Sequence, residues 1–566
     1  MRNAAFISIF TLSMWMSVYC LSDTYIWTSS AGGQLGDPSN WLPFGIPGQQ
    51  DDVRFTLAGS YGVWLDQPYT HQTLMVDGSE LALDLRGHNW RFEGWDDRYR
   101  CVTIGDANAS KLAVSGGGTV SSHAVFLGWG NDLETVLELA GENTEWIANI
   151  DGNWDGLFAG GVGGLARLRV YDNAVLKHGH GESGRFRGNQ TVIEIEDPNS
   201  EWYVDGWFGM SWEGATDVFL KNGARAKFGM LEMAVLPGSS AVISLTGRET
   251  ELAIENWWDY VPLFIGRQGW GVVNMTDSRL FCSGNMVLAE QPGSAGQLNL
   301  YGSSWADCQG SAAVGGDLDS RGGTAMIHLQ GDLWNGFYST LTAAYSYEGQ
   351  SIVVWPKGTI RMDGGTITLE YGDRANPVVL KGGILEGWGW IWGDVQNESG
   401  RVALGAIGDW KALDIGYNYT QNAAGVLKIS IGGRDTYWQY GGLVLTNGWG
   451  EYGRAYLDGM LEVELLYGFI PDPSDEFVII DAQQVEGQFV NAAGAGGIGK
   501  YVFEQGTFDV WYESNRVVLR NFRTEPSCPA FPDADLNRDC RVDLADLSRM
   551  AAQWLDCGLQ PLDYCY

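Results

Sequence analysis

From residue 111 onward, short strings alternate apolar and polar positions. They read KLAV ending at Val114, VLEL at Leu139, RLRV at Val170, VIEI at Ile195 and DVFL at Leu220. VISL at Leu245, VVNM at Met275, QLNL at Leu300 and MIHL at Leu329 continue the series. A period of two puts alternate side chains on opposite sides of an extended chain, so each string predicts a half-buried strand. Gly, Asn, Asp and Ser between the strings mark turns. Successive spacings are 25, 31, 25, 25, 25, 30, 25 and 29 residues. Two kinds of text alternate after the strings: AGENTEW, EDPNSEW, TGRETEL and YGSSWAD in one series, SGGGTV, YDNAVL and KNGARA in the other. Both series keep super-spacings of 56 and 50 residues, and the first continues with 55.

A repeat of this length cannot bury its apolar face alone and must stack on its neighbours. The pattern predicts a mainly β chain, an elongated parallel β-solenoid (β-helix) with one coil per repeat. Coils ~4.8 Å apart would make the nine strings span about 40 Å. The competing arrangement is a β-propeller with two repeats per blade. The 25-residue sub-period is the stronger signal and favours the solenoid. Cys282 and Cys308 fall at nearly the same phase of adjacent repeats. They are either a disulfide, since the allowed Cα separation of ~4.4–6.8 Å brackets the coil rise, or two unlinked core thiols.

Composition narrows the setting. Of 566 residues 79 are Gly, 45% are apolar and 18% are charged, which excludes disorder and disfavours a helical protein. The formal charge of −34 argues against nucleic acid or an anionic membrane as partner. It favours cations, Ca²⁺ above all, although acidity also serves solubility. Arg2, the uncharged run AAFISIFTLSMWMSV and Ser22 before Asp23 form the pattern of a secretory signal peptide over residues 1–22. An uncleaved anchor is the other reading of this segment, and Tyr19 before Cys20 fits a lipobox poorly. The expectation is a secreted, extracellular or cell-surface protein with no membrane span after cleavage. Four of the eight cysteines, Cys528, Cys540, Cys557 and Cys565, crowd the last forty residues. In an oxidising compartment they suggest two disulfides, with three connectivities open. Without a paired C-x₂-C element, zinc is the weaker reading.

The opening YIWTSSAGGQLGDPSNWLPFGIPGQQDDVRF, the run GGILEGWGWIWGDVQNESGRVALG, and GMLEVELLYGFIPDPSDEFVIIDAQQVEGQF resemble bacterial surface solenoids and the passengers of autotransporters. The resemblance covers roughly residues 24–522 and implies a fold rather than a chemistry. It divides the chain into a lead-in at 23–100, the 25-residue repeats at 101–340 and a passenger-like stem at 341–522.

Residues 523–566 are different. DLNRDCRVDLADLSRMAAQWL begins at Asp535. Counting from there, Asp535, Asn537, Asp539, Arg541, Asp543 and Asp546 hold positions 1, 3, 5, 7, 9 and 12. Those positions supply the oxygen ligands of an EF-hand calcium loop, position 7 through its backbone carbonyl. Val542 at position 8 is expected to lock the loop to a neighbour. Leu547, Met550, Ala551 and Trp554 recur at helical spacing on one face. The segment resembles a single dockerin repeat. That resemblance implies a small α-helical, calcium-dependent module that docks onto a cohesin-like or cell-surface protein and is appended to carbohydrate-active proteins. It departs from the family in having one loop, Cys540 in place of Gly at position 6, and Leu544 and Ala545 at positions 10 and 11.

Acids that could carry chemistry are scattered: Asp96–Asp97, Asp151 and Asp155, Asp317 and Asp319. HGHG at 178–181 matches one piece of the pectin-hydrolase signature without the rest. The 26 Trp offer sugar platforms, although many follow strands at a fixed offset, as core residues would. The sequence therefore favours a non-catalytic polysaccharide-binding or surface scaffold over its alternative, a glycoside hydrolase or polysaccharide lyase.

Overall fold

A computed structural model describes residues 23–95, 100–130, 132–148, 156–160, 164–255, 261–331, 338–344, 350–369, 377–406, 411–445, 453–524, 534–538 and 540–552. The chain is mainly β, an elongated parallel β-solenoid of about 16 turns, with one α-helix among the described residues. At ~4.8 Å per turn the stack is about 75 Å long. Each turn contributes a strand to three faces. In one turn these are Val102–Ile104 (first face), Ser110–Ser115 (second) and Gly118–Ser122 (third). The next turn repeats them as Val125–Leu127, Thr135–Ala140 and Thr144–Ala148.

All nine alternating strings lie on the second face, in continuous parallel register. Leu112, Leu137, Leu168, Ile193, Val218, Ile243, Val273, Leu298 and Ile327 form one buried column. Parallel pairing along the whole column excludes propeller blades, whose strands form antiparallel meanders. Where the spacing lengthens from Leu300 to Leu329, the extra residues include a loop at 315–323. Leu318 of that loop is buried against the outer side of the first face with Phe264, Val287 and Ala313. An insertion at a corner leaves the register of the strands untouched.

The double period has a physical cause on the third face. Its inward column runs Trp90, Val120, Trp146, Leu176, Trp202, Ala226. An indole is wider than one rung, so each Trp is flanked by smaller residues that give it room. The turns between second and third faces follow the same alternation. The hydroxyls of Thr144, Ser200 and Thr250 accept the backbone N–H of Gly117, Asn173 and Gly223 on the preceding rung. Thr250 Oγ1 also donates to the Thr246 carbonyl of its own rung, and Ala174 and Ala224 stand at this position on the intervening rungs.

Cys282 and Cys308 are register partners on the third face, buried and free. They are core thiols, not a disulfide. Both Sγ atoms donate to the Gly284 carbonyl, at 3.5 and 3.2 Å. The Cys308 side chain hydrogen-bonded to it, and then burial, push the Cys282 thiol well above its ordinary range.

The C-terminal end is closed. Past Phe477–Ala482 the chain turns antiparallel through Ile498–Phe503, Gly506–Tyr512 and Arg516–Arg523. Side chains satisfy the edge of the second-face strand Met460–Leu465. Asn491 accepts from Leu461 N and donates to its carbonyl, Tyr501 Oη accepts from Val463 N, and Gln505 bonds Leu465 in both directions. An open parallel edge would template association. The double substitution Asn491→Ala/Gln505→Ala is therefore expected to produce concentration-dependent association in sedimentation velocity. A variant as monodisperse as the parent would show that these side chains do not guard the edge.

Candidate functional site

The strongest candidate is the acidic loop. Its chain reverses through two left-handed residues, Arg538 (φ 60°) and Cys540 (φ 63°). Side chains without branching at Cβ tolerate that region at a cost Gly avoids. Asp535, Asn537 and Asp546 are all buried. Asp535 Oδ2 accepts from Cys540 N at 2.7 Å. Asp546 Oδ1 accepts from Asn537 N at 3.0 Å, and its Oδ2 from Asp543 N at 2.9 Å. Asp543 Oδ1 accepts from Ala545 N at 2.8 Å, and this N-caps the helix Leu544–Ala552. Burial pushes the Asp546 carboxyl up, but backbone N–H groups from Asp543, Asn537, Leu536 and its own residue hold it below the usual carboxylate range.

Asp543 and Arg541 are exposed, Arg541 being the position read through its carbonyl, and Asp539 lies outside the described residues. Among the described residues no group of three or more His, Cys, Asp or Glu side chains is placed to hold a metal ion. What the loop does bring together is two buried carboxylates and an amide. That donor set is the hard-oxygen chemistry Ca²⁺ prefers. Arg549 on the helix adds a positive charge that interacts with Asp546.

Val542 does not lock the loop to a neighbour. It is 56% exposed, and Leu547 and Met550 on the helix are exposed too. Trp554, Cys528, Cys557, Cys565, the segment 1–22 and the acids Asp96, Asp97, Asp151 and Asp155 lie outside the described residues. Among the described residues the free thiols are Cys101, Cys282 and Cys308, and Cys540 is not one of them. No helix among the described residues is long and apolar enough to cross a membrane.

The other sequence candidates are structural. His178 of HGHG points into the core and accepts the Trp202 indole N–H at 2.8 Å. Asp317 shapes the corner loop: its carbonyl accepts from Trp355 Nε1 at 2.6 Å, and its carboxylate from Leu318 N. Asp319 is exposed.

One pattern passes unnoticed in the sequence. Thr340-Leu-Thr342, Thr366-Ile-Thr368 and Trp390-Ile-Trp392 recur at spacings of 26 and 24 residues. They fall on consecutive rungs of the third face with their outer side chains in line. The same phase in three successive repeats is the signal that could have found them. No family model matches this chain, and no curated protein matches it.

Proposed function

We propose that this protein is an exported, non-catalytic β-solenoid scaffold that binds polysaccharide. Its dockerin-like C-terminal segment would tether it, once ordered by calcium, to a cohesin-like or cell-surface protein. The observation carrying this reading is the loop Asp535–Asp546, where two carboxylates and Asn537 are buried around a chain reversal. The exposed apolar side chains Val542, Leu544, Leu547 and Met550 support docking, since so small a segment gains nothing by displaying them alone. A tail disulfide through Cys540 would hold the left-handed turn that Gly usually supplies.

Calcium titration of the whole oxidised protein tests this. Asp535→Ala/Asp546→Ala is expected to lose one equivalent of tightly bound Ca²⁺ by calorimetry, and with it any calcium-dependent partner capture. Equal stoichiometry in variant and parent would sink the tail reading.

A polysaccharide hydrolase or lyase is the second reading, and one observation favours it. Asp414 lies on the outer side of the third face, two rungs from Asp481 in the same column. Burial raises its carboxyl to about 6, which suits a general acid with a second carboxylate in its column. Release of soluble oligosaccharides, lost in Asp414→Asn, would establish that reading in place of the first.

A further inference from the structure

On the outer side of the third face, surface chemistry changes along the rod. In earlier turns this side carries ion pairs: Lys177–Glu145 at 2.6 Å, Arg225–Glu251 at 4.0 Å and Lys227–Glu255 at 2.6 Å. From Trp305 onward it does not. One outward column reads Trp305, Thr340, Thr366, Trp390; the other reads Asp307, Thr342, Thr368, Trp392. Four rungs at ~4.8 Å place the outer aromatics about 14 Å apart. The half-buried Thr340, Thr366 and Thr368 lie between them, while Thr342 is buried with its hydroxyl taken up by Trp305. Asp307 is the one charge in the two columns.

The rings are held but not hidden. Trp305 is 36% exposed, Tyr338 37% and Trp392 37%. Trp305 Nε1 donates to Thr342 Oγ1 at 3.0 Å, and Arg279 stacks on its ring at 5.0 Å. Tyr338 meets Trp390 edge-on at 5.4 Å. Trp392 lies over Gly416, where an added Cβ would stand 3.0 Å from the ring. Each fixed ring therefore presents a face at no further ordering cost.

We infer that this strip, from Trp305 to Trp392, is a binding surface for a neutral polysaccharide chain. The inference rests on the polysaccharide-scaffold reading above and deepens it. A pyranose ring has a C–H face, weakly positive, that matches the negative face of an indole or phenol. Its hydroxyls match threonine, which both donates and accepts. The occupant is neutral because of charge. The chain carries −34 overall, and the one cation beside the strip, Arg279 on the rung before Trp305, is taken up by the Trp305 ring, so an anionic glycan would be repelled. A protein partner would be expected to use the ion-paired turns for register and orientation, which this strip lacks.

The test uses the full-length protein and affinity electrophoresis in gels containing mixed-linkage β-glucan, xylan or glucomannan, with polygalacturonate as the anionic probe. At least one neutral polymer is expected to retard the protein. Trp305→Ala and Trp392→Ala should each weaken that binding by about tenfold, the scale of one lost stacking contact. Trp392→Phe should restore most of it, and Thr366→Val should weaken it less. Trp270→Ala, an exposed Trp on the second face, should change nothing. All these side chains point outward, and an unchanged melting curve confirms folding. Retardation that survives both Trp→Ala changes would overturn this strip while leaving the scaffold reading intact. No binding to any polymer would overturn both. Tighter binding to polygalacturonate, or self-association abolished by the Trp variants, would also overturn the inference.

Discussion

The solenoid should lose stability as pH falls from about 6.5 toward 4, ahead of most of its carboxylates. The cause is a pair of buried imidazoles. His71 Nδ1 accepts the Trp90 indole N–H at 2.8 Å and its Nε2 faces the Pro47 carbonyl at 3.3 Å. His178 repeats the arrangement, with Nε2 accepting from Trp202 and Nδ1 facing the His180 carbonyl at 3.1 Å. Each ring is neutral, and protonating its acceptor nitrogen would set two N–H groups against each other. Burial, the larger cause, pulls His71 down to about 4 and His178 to about 3. The folded values lie below the unfolded value of ~6.5. Their stabilisation is therefore complete above pH ~6.5 and is lost as pH falls, until about 4 for His71 and about 3 for His178. Each group contributes a slope of up to ~1.4 kcal/mol per pH unit, or ~2.7 for the pair. Urea midpoints of the first unfolding transition between pH 7.5 and 5 measure it. His71→Gln/His178→Gln keeps an acceptor for both indoles and should flatten the slope. A double variant as acid-sensitive as the parent would refute the assignment.

Trp202→Ala should be the most damaging single change on the third face. Trp202 is fully buried and packs edge-on against Phe208 and Phe228, at centroid distances of 5.1 and 4.8 Å. Removing it costs ~3–5 kcal/mol for the cavity. It also leaves the His178 acceptor unpaired in the core, for a further ~1–3 kcal/mol. Trp202→Phe fills most of the space but still loses the N–H, so its cost should be near the second figure alone. Trp270→Ala on the exposed surface should stay within about 0.5 kcal/mol. Denaturant midpoints order the three. Since neighbouring turns share this core, the Ala variant should also split the transition in two. If Trp202→Phe is as harmful as Trp202→Ala, the hydrogen bond and not the volume dominates.

The fold was written in the sequence because a solenoid repeats one local rule. Alternation along KLAV, VLEL and the strings that follow sets the inward column, and the constant spacing sets the stack. The double period was also legible, although its cause was not. That depends on an indole of one rung reaching over the next, and on a hydroxyl of one turn serving the turn before. Both are contacts between residues about 25 apart. The choice between thiols and a disulfide at Cys282 and Cys308 likewise awaited the tertiary structure, as did the burial of His178, which a motif alone would place at a surface. The ligand spacing of the tail was plain from Asp535 to Asp546, because a calcium loop is local. Whether Val542 meets a neighbour was not, since that depends on what packs against the loop. The strip from Trp305 to Trp392 lies furthest from sequence reading. Its threonines and tryptophans are unremarkable one at a time, and only the parallel register brings them onto one surface.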